Sequence, residues 1–204
     1  MFRRQGSKVL VVDLSGQTVK ALAGSMVAYE GDVTFKKGAM GGGEGLRGAL
    51  KRKATGESLD LMDMTGSGTV YLAHRATEVE VVDLRGETLR VESSALLAVA
   101  PGLRTAVEFS GLRGASSGQG LFTTTVSGDG QVAVLSDGPP LVLEVTPQTP
   151  LVVDPDAYVC AKGQLQQSFV TDVSWRDAVG AGGGEAYSLR FEGSGVVYVQ
   201  PAER

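Results

Sequence analysis

The chain has 204 residues, 42% of them hydrophobic, with a formal net charge of −4 and an isoelectric point near 5.1. That length supports one substantial core, since a domain of this size buries roughly 70% of the surface its unfolded chain exposes, and the mild acidity argues against nucleic acid as a general partner, so any polyanion site has to be local. Cys160 is the only cysteine, which excludes an intramolecular disulfide framework and suits a reducing compartment.

The amino-terminal MFRRQGSKVLVVDLSG is basic, but Asp13 interrupts its apolar run before it reaches the length of a signal peptide. No run approaches the roughly 20 apolar residues that span a bilayer. The expectation is a soluble, cytoplasmic, single all-β domain over residues 1–204.

Val9 to Leu14 predicts a strand, Ser15-Gly16 a turn, and Thr18 to Leu22 the return strand. The phrase recurs: Val11 to Lys20 aligns with Val81 to Arg90 at a shift of 70, preserving the apolar positions and the glycine. Val152-Val153-Asp154 is a third, shorter echo, with Tyr158 to Ala161 in the place of its return strand. A second phrase interleaves with the first at Gly66-Ser67-Gly68, Gly128-Asp129-Gly130 and Gly193-Ser194-Gly195. Each copy stands between two strand-like runs, and glycines between two β runs predict a hairpin. The chain thus divides into three related units, about 9–73, 79–135 and 150–200.

Each unit also carries a variable glycine-rich segment: Gly38 to Glu57, Gly111 to Gly120 and Asp177 to Glu185. Loops absorb insertions, so the three are expected at equivalent places on one end of the fold. Only the first is long and basic. Residues 36 to 57 hold Lys36, Lys37, Arg47, Lys51, Arg52 and Lys53 against Glu44 and Glu57, a formal +4 that leaves −8 elsewhere. Leu46, Ala49 and Leu50 fall at helical spacing, predicting a short helical insert near 46–53 with an apolar edge beside the cations. Lys36, Lys37, Arg47, Lys51, Arg52 and Lys53, with Leu46 and Leu50, are therefore the candidate anionic-surface site, suited to an acidic lipid leaflet or an acidic partner. The structural alternative is that the two leucines pack on the β body and the charges are solvated.

Without sustained helical periodicity, the class is all-β. Three units that cannot each close a core predict a pseudo-threefold barrel, prism or double-stranded β-helix-like arrangement, with a two-sheet Greek-key sandwich as the alternative.

The blocks Gly41-Gly42-Gly43, Leu46 to Arg52, Thr55-Gly56-Glu57-Ser58-Leu59 and Gly66 to Ala73, with SSALLAVAPG at 93–102 and Gly120 to Thr123, resemble the mitochondrial-biogenesis family named for altered inheritance of mitochondria. The resemblance covers nearly the whole chain. It implies an all-β fold similar to that of the tryptophan RNA-binding attenuation protein, whose subunits assemble into rings, and hence a homo-oligomer. It implies no reaction, and the fungal members' link to mitochondrial membrane organisation is a cellular role rather than a chemical one. Asp60 and Asp63 depart from the apolar strand the family pattern calls for.

Chemical motifs are sparse. Gly43 to Gly48 matches G-x-G-x-x-G in form, but an all-β context denies it the βαβ unit that binds dinucleotides. His74 is the only histidine, so the two-histidine, one-carboxylate iron site of β-helix oxygenases cannot be built in one chain, and spacing gives no Ser-His-Asp or Cys-His arrangement. Glu78 and Glu80 alternate with valines as solvated carboxylates of a strand with one wet face do. Asp154 and Asp156 flank Pro155 as in a turn, and Trp175 reads as a core or interface anchor. The expectation is a non-enzymatic, homo-oligomeric scaffold or binding protein with no metal or cofactor, peripheral to anionic membranes through residues 38–57. RNA binding, by fold analogy, and small-molecule binding are the alternatives.

Overall fold

Short runs rich in Val, Leu and Thr, punctuated by glycine, favour extended backbone, and strands account for nearly all of the regular structure. The computed structural model describes residues 1–38, 60–111, 120–171 and 187–202. Among the described residues there are thirteen strands: β1 (Phe2–Gln5), β2 (Val9–Ser15), β3 (Val19–Leu22), β4 (Met26–Lys37), β5 (Leu61–Leu72), β6 (Glu78–Glu92), β7 (Leu96–Val99), β8 (Arg104–Gly111), β9 (Gly120–Ser136), β10 (Leu141–Val145), β11 (Leu151–Val153), β12 (Tyr158–Thr171) and β13 (Tyr187–Val199). Single 3-10 turns at Ser93–Ala95 and Pro155–Ala157 lead into β7 and β12. The predicted helix near 46–53 lies outside the described residues.

All thirteen strands join one antiparallel sheet, in the order β1-β2-β5-β3-β7-β9-β6-β12-β13-β10 with β4, β8 and β11 alongside. The expected all-β class holds, but the barrel does not: among the described residues the sheet is open, running from β1 to β10 without closing. Three long strands, β5, β9 and β13, act as spines. Each spine has a partner along one edge, namely β4 for β5, β7 with β8 for β9, and β12 for β13. The other edge takes β2 then β3 on β5, the single strand β6 on β9, and β10 then β11 on β13.

This pairing revises three sequence expectations. The Gly-x-Gly phrases are not hairpin turns; they lie within β5, β9 and β13. The reason is close backbone approach: a Cβ on Gly68 would collide with the Glu30 carbonyl oxygen, and one on Gly195 with that of Lys162. Gly66, Gly128 and Gly193, with φ of +132°, +125° and +112°, adopt a backbone conformation that L side chains rarely take.

Ser15-Gly16 does not reverse the chain either, because β2 and β3 pair with the same spine in the same direction. The equivalent Gly86 sits in a register shift between Arg85 and Thr88 of β6, so Gly16 and Gly86, with φ of +91° and +78°, mark an irregularity within one edge.

The third echo is displaced. Leu14, Leu84 and Val145 stand opposite Gly68, Gly130 and Gly195, so the counterpart of Val11 to Leu14 in the last spine pair is Val142 to Val145. Tyr158 to Ala161 is not a return strand; it opens β12.

The spine partners share a further mark. Their registers shift at one corresponding step, between Met26 and Ala28, Leu96 and Ala98, and Tyr158 and Cys160. The core is laid along the sheet in three clusters: around Leu10, Met64 and Leu97; around Leu89, Leu96, Val132 and Val159; and around Tyr158, Leu189, Phe191 and Val197.

Candidate interaction surface

Each spine forms an arm with the strand that precedes it in the chain, β4 with β5, β8 with β9 and β12 with β13, and the glycine-rich segments lie between the two strands of each arm in the sequence. On the first arm, Lys36 stands opposite Asp63 and Lys37 opposite Met62, and both lysines are exposed. Of the eight residues read as an anionic-surface site, these two are described; Arg47, Lys51, Arg52, Lys53, Leu46 and Leu50 lie outside the described residues, as do Gly43 to Gly48 and Trp175. Asp63 belongs where the family pattern called for an apolar residue, and the structure gives the reason: Lys20 Nζ lies 2.8 Å from its Oδ1 across the β3–β5 pair. Six residues back along β4 from Lys36, Glu30 Oε1 accepts from the Tyr71 hydroxyl at 3.2 Å, a hydrogen bond that, with the carboxylate charge, raises the phenol above its ordinary value.

Among the described residues the chemically suggestive side chains do not converge. His74 opens the β5–β6 turn, where its carbonyl accepts from the backbone N–H and the hydroxyl of Thr77. Cys160 is fully buried, and burial above all pushes its thiol far up, so that it stays protonated. Among the described residues no group of three or more His, Cys, Asp or Glu side chains could hold a metal ion. Asp154 makes a turn, as its sequence context predicts, with its carboxylate accepting from the Asp156 N–H at 3.0 Å.

Glu78 and Glu80, by contrast, are more than solvated carboxylates. Arg4 Nη1 lies 2.8 Å from Glu80 Oε2 and also donates to the Val79 carbonyl, while Lys8 lies 3.8 Å from Glu78. They clasp the amino-terminal segment, with β1 and its buried Phe2, against the middle of the sheet. Sequence reading missed β1; alternation of Phe2 with charged neighbours is its only signal.

The largest departure from expectation is on the edges. Met26, Leu96 and Tyr158 correspond by their register shifts, and so do Val27, Leu97 and Val159. Leu97 and Val159 have no exposed surface, yet Val27 is 60% exposed. Met26 and Tyr29 are exposed as well, as are Val152 on β11 and Leu141 and Val142 on β10. Apolar side chains at a sheet edge are uncommon on a monomer's surface unless something docks there. The signal was present in sequence, since Met26-Val27-Ala28-Tyr29 reads as apolar as its counterparts, but sequence cannot say which copy of a repeated strand is uncovered.

The sequence model of the family described as "Mitochondrial biogenesis AIM24" matches residues 2–202. Comparison with curated proteins gives no significant match. Among solved structures, the crystal structure of a Streptococcus pyogenes protein is similar, with a TM-score of 0.74 and 22% identity over 100% of this chain and 93% of that one. At that identity the likeness concerns the fold.

Proposed function

The chain belongs to the mitochondrial biogenesis AIM24 family, and from that premise we propose that it is a non-enzymatic, homo-oligomeric scaffold of the cytoplasm that docks on anionic membrane surfaces through residues 38–57. The observation that carries the reading is charge segregation. Residues 36 to 57 hold six cations and two carboxylates in a chain of net charge −4, and the two cations nearest the arm, Lys36 and Lys37, are solvent-exposed at its outer end.

A lysine or arginine near an acidic leaflet contributes about 1 kcal/mol, so six on one segment hold a chain weakly. Several chains in one assembly bind the same surface with far greater avidity, because after the first contact the others become intramolecular. A scaffold with one basic arm per copy is suited to that arithmetic. No helix among the described residues is long and apolar enough to cross a membrane, which fits peripheral attachment.

Flotation with vesicles of neutral lipid, and of neutral lipid doped with cardiolipin, tests the reading. The wild-type chain is expected to float with the anionic vesicles and lose that association when salt screens the charges. A variant with Lys51, Arg52 and Lys53 all changed to Glu is expected to stay at the bottom. Equal flotation of the two chains would overturn the proposal.

A further inference from the structure

The sheet contains two internal junctions between neighbouring spine assemblies, and they are built alike. At the first, β3 pairs with β7, with Lys20 opposite Val99 and Ala21 opposite Ala98. At the second, β6 pairs with β12, with Arg90 opposite Ala161 and Val91 opposite Cys160. Spine registers make these the same steps: Lys20 and Arg90 stand opposite Asp63 and Thr125, five residues before Gly68 and Gly130, and Ala98 and Cys160 follow the shared register shift.

Each junction also closes a core. Leu97 and Ala98 of β7 are buried in the first cluster, and Val159 and Cys160 of β12 in the second. Among the described residues the third cluster, around Tyr158, Leu189 and Phe191, contains no such contribution.

The two ends of the molecule supply the missing halves of a third junction. Val152 stands opposite Arg190, five residues before Gly195, so β11 holds the step of Lys20 and Arg90. β4 holds the step of β7 and β12, with Ala28 and Tyr29 where those strands have Ala98-Val99 and Cys160-Ala161. Among the described residues β4 pairs only with β5 and β11 only with β13, so one edge of each is unpaired. At these edges the side chains are apolar and open to solvent, Val27 at 60%, Tyr29 at 48% and Val152 at 45%.

We propose that a second copy of this chain completes the third junction, the β11 edge of one copy pairing antiparallel with the β4 edge of the next. In the register of the internal junctions, Val152 comes opposite Tyr29 and Val153 opposite Ala28, and Val27 of the second copy covers the third core cluster of the first. The contact is head-to-tail, so it propagates into a closed ring or an open filament according to the rotation at each step. The inference rests on the homo-oligomeric part of the proposed function and gives it an interface; the occupant is a second copy because both halves of the joint belong to this chain and mate twice inside it.

Sedimentation and light scattering of the full chain in lipid-free buffer test it. The wild type is expected at multiples of 21.2 kDa. Val27→Glu and Val152→Glu each remove one half of the joint and are expected to weaken self-association about tenfold or more, because a carboxylate would have to enter an apolar contact. Both sites are solvent-facing, so the variants should keep the circular dichroism of the wild type. An equimolar mixture of the two is expected to form a one-to-one dimer, each chain contributing its intact edge. A monomeric wild type would overturn both the joint and the homo-oligomeric reading. Wild-type assembly that survives in either variant, or a mixture that stays monomeric, would overturn the joint alone.

Discussion

Val27 and Leu97 hold the same position on corresponding strands, yet one is 60% exposed and the other has no exposed surface. The same contrast separates Met26 from Tyr158, which stacks on Phe191 at 5.5 Å and donates its hydroxyl to the Arg90 carbonyl at 2.8 Å. A sealed junction and an open end therefore present much the same residue class. The difference lies in what chain connectivity puts beside them: β7 and β12 each follow an earlier spine assembly, whose β3 or β6 edge covers them, whereas β4 belongs to the first assembly of the series and is paired only with its own spine among the described residues. The apolar character of an edge belongs to the repeated phrase, while its burial belongs to its place in the series.

The contrast can be broken most forcefully at its buried member. Leu97→Ala empties a position enclosed in the first core cluster, and such truncations cost about 2–5 kcal/mol; Val27→Ala at the open end should change monomer stability by less than about 0.5 kcal/mol. Urea denaturation at a concentration low enough to hold the chain monomeric would show the two midpoints far apart. Equal losses would mean that the open end is covered within a single chain.

Gly68→Ala tests whether the spines need their central glycines. It drives a Cβ into the Glu30 carbonyl, so a loss of about 1–3 kcal/mol is expected, whereas Gly86→Ala, with open space around it, bears only the strain of a positive φ, about 1 kcal/mol. A Gly68→Ala chain as stable as Gly86→Ala would remove close backbone approach as the reason for the motif.

The smallest effect sharpens the sealed junction. Tyr158→Phe leaves the Arg90 carbonyl without that donor and should cost about 1 kcal/mol at neutral pH. Burial raises the Tyr158 phenol well above its ordinary value of 10.0, so the folded chain holds this proton where the unfolded chain releases it. That contribution is complete below pH 10 and is lost as pH rises above it toward the folded-state value. The Phe variant should therefore lose less stability than the wild type between pH 9 and pH 11; parallel alkaline curves would place the phenol in contact with solvent.

How far the fold was legible in the sequence depends on what fixes each feature. Strand identity is local, so Val9 to Leu14 and Val79 to Leu84 could be read from their valines and leucines. The correspondence of Val11 to Lys20 with Val81 to Arg90 was legible too, because ten aligned residues outweigh coincidence. Val152-Val153-Asp154 is only three residues long, and its true counterparts are set by pairing with β13, which sequence does not display. Gly-x-Gly misled for a physical reason: glycine serves a hairpin turn and a close backbone crossing equally well, and only the neighbouring strand tells them apart. Of the candidate surface, Lys36 and Lys37 could be placed because strand β4 carries them; the apolar edges went unread because exposure is a property of neighbours.

In the outer assemblies backbone makes the nearest approach to the central glycines, Gly31 against Gly68 and Gly163 against Gly195, with the Leu165 side chain also over Gly195; in the middle one the nearest approach is by the Leu103 side chain, which lies over Gly128 and Gly130. A peptide group cannot be trimmed or exchanged without rebuilding the strand, whereas a leucine can. The middle crossing is thus the one of the three where a side chain rather than a peptide group comes nearest, and the one that point substitution reshapes most readily: a shorter residue at 103 would leave an apolar hollow beside main chain, and a redesigned pair there could recover the volume from either side.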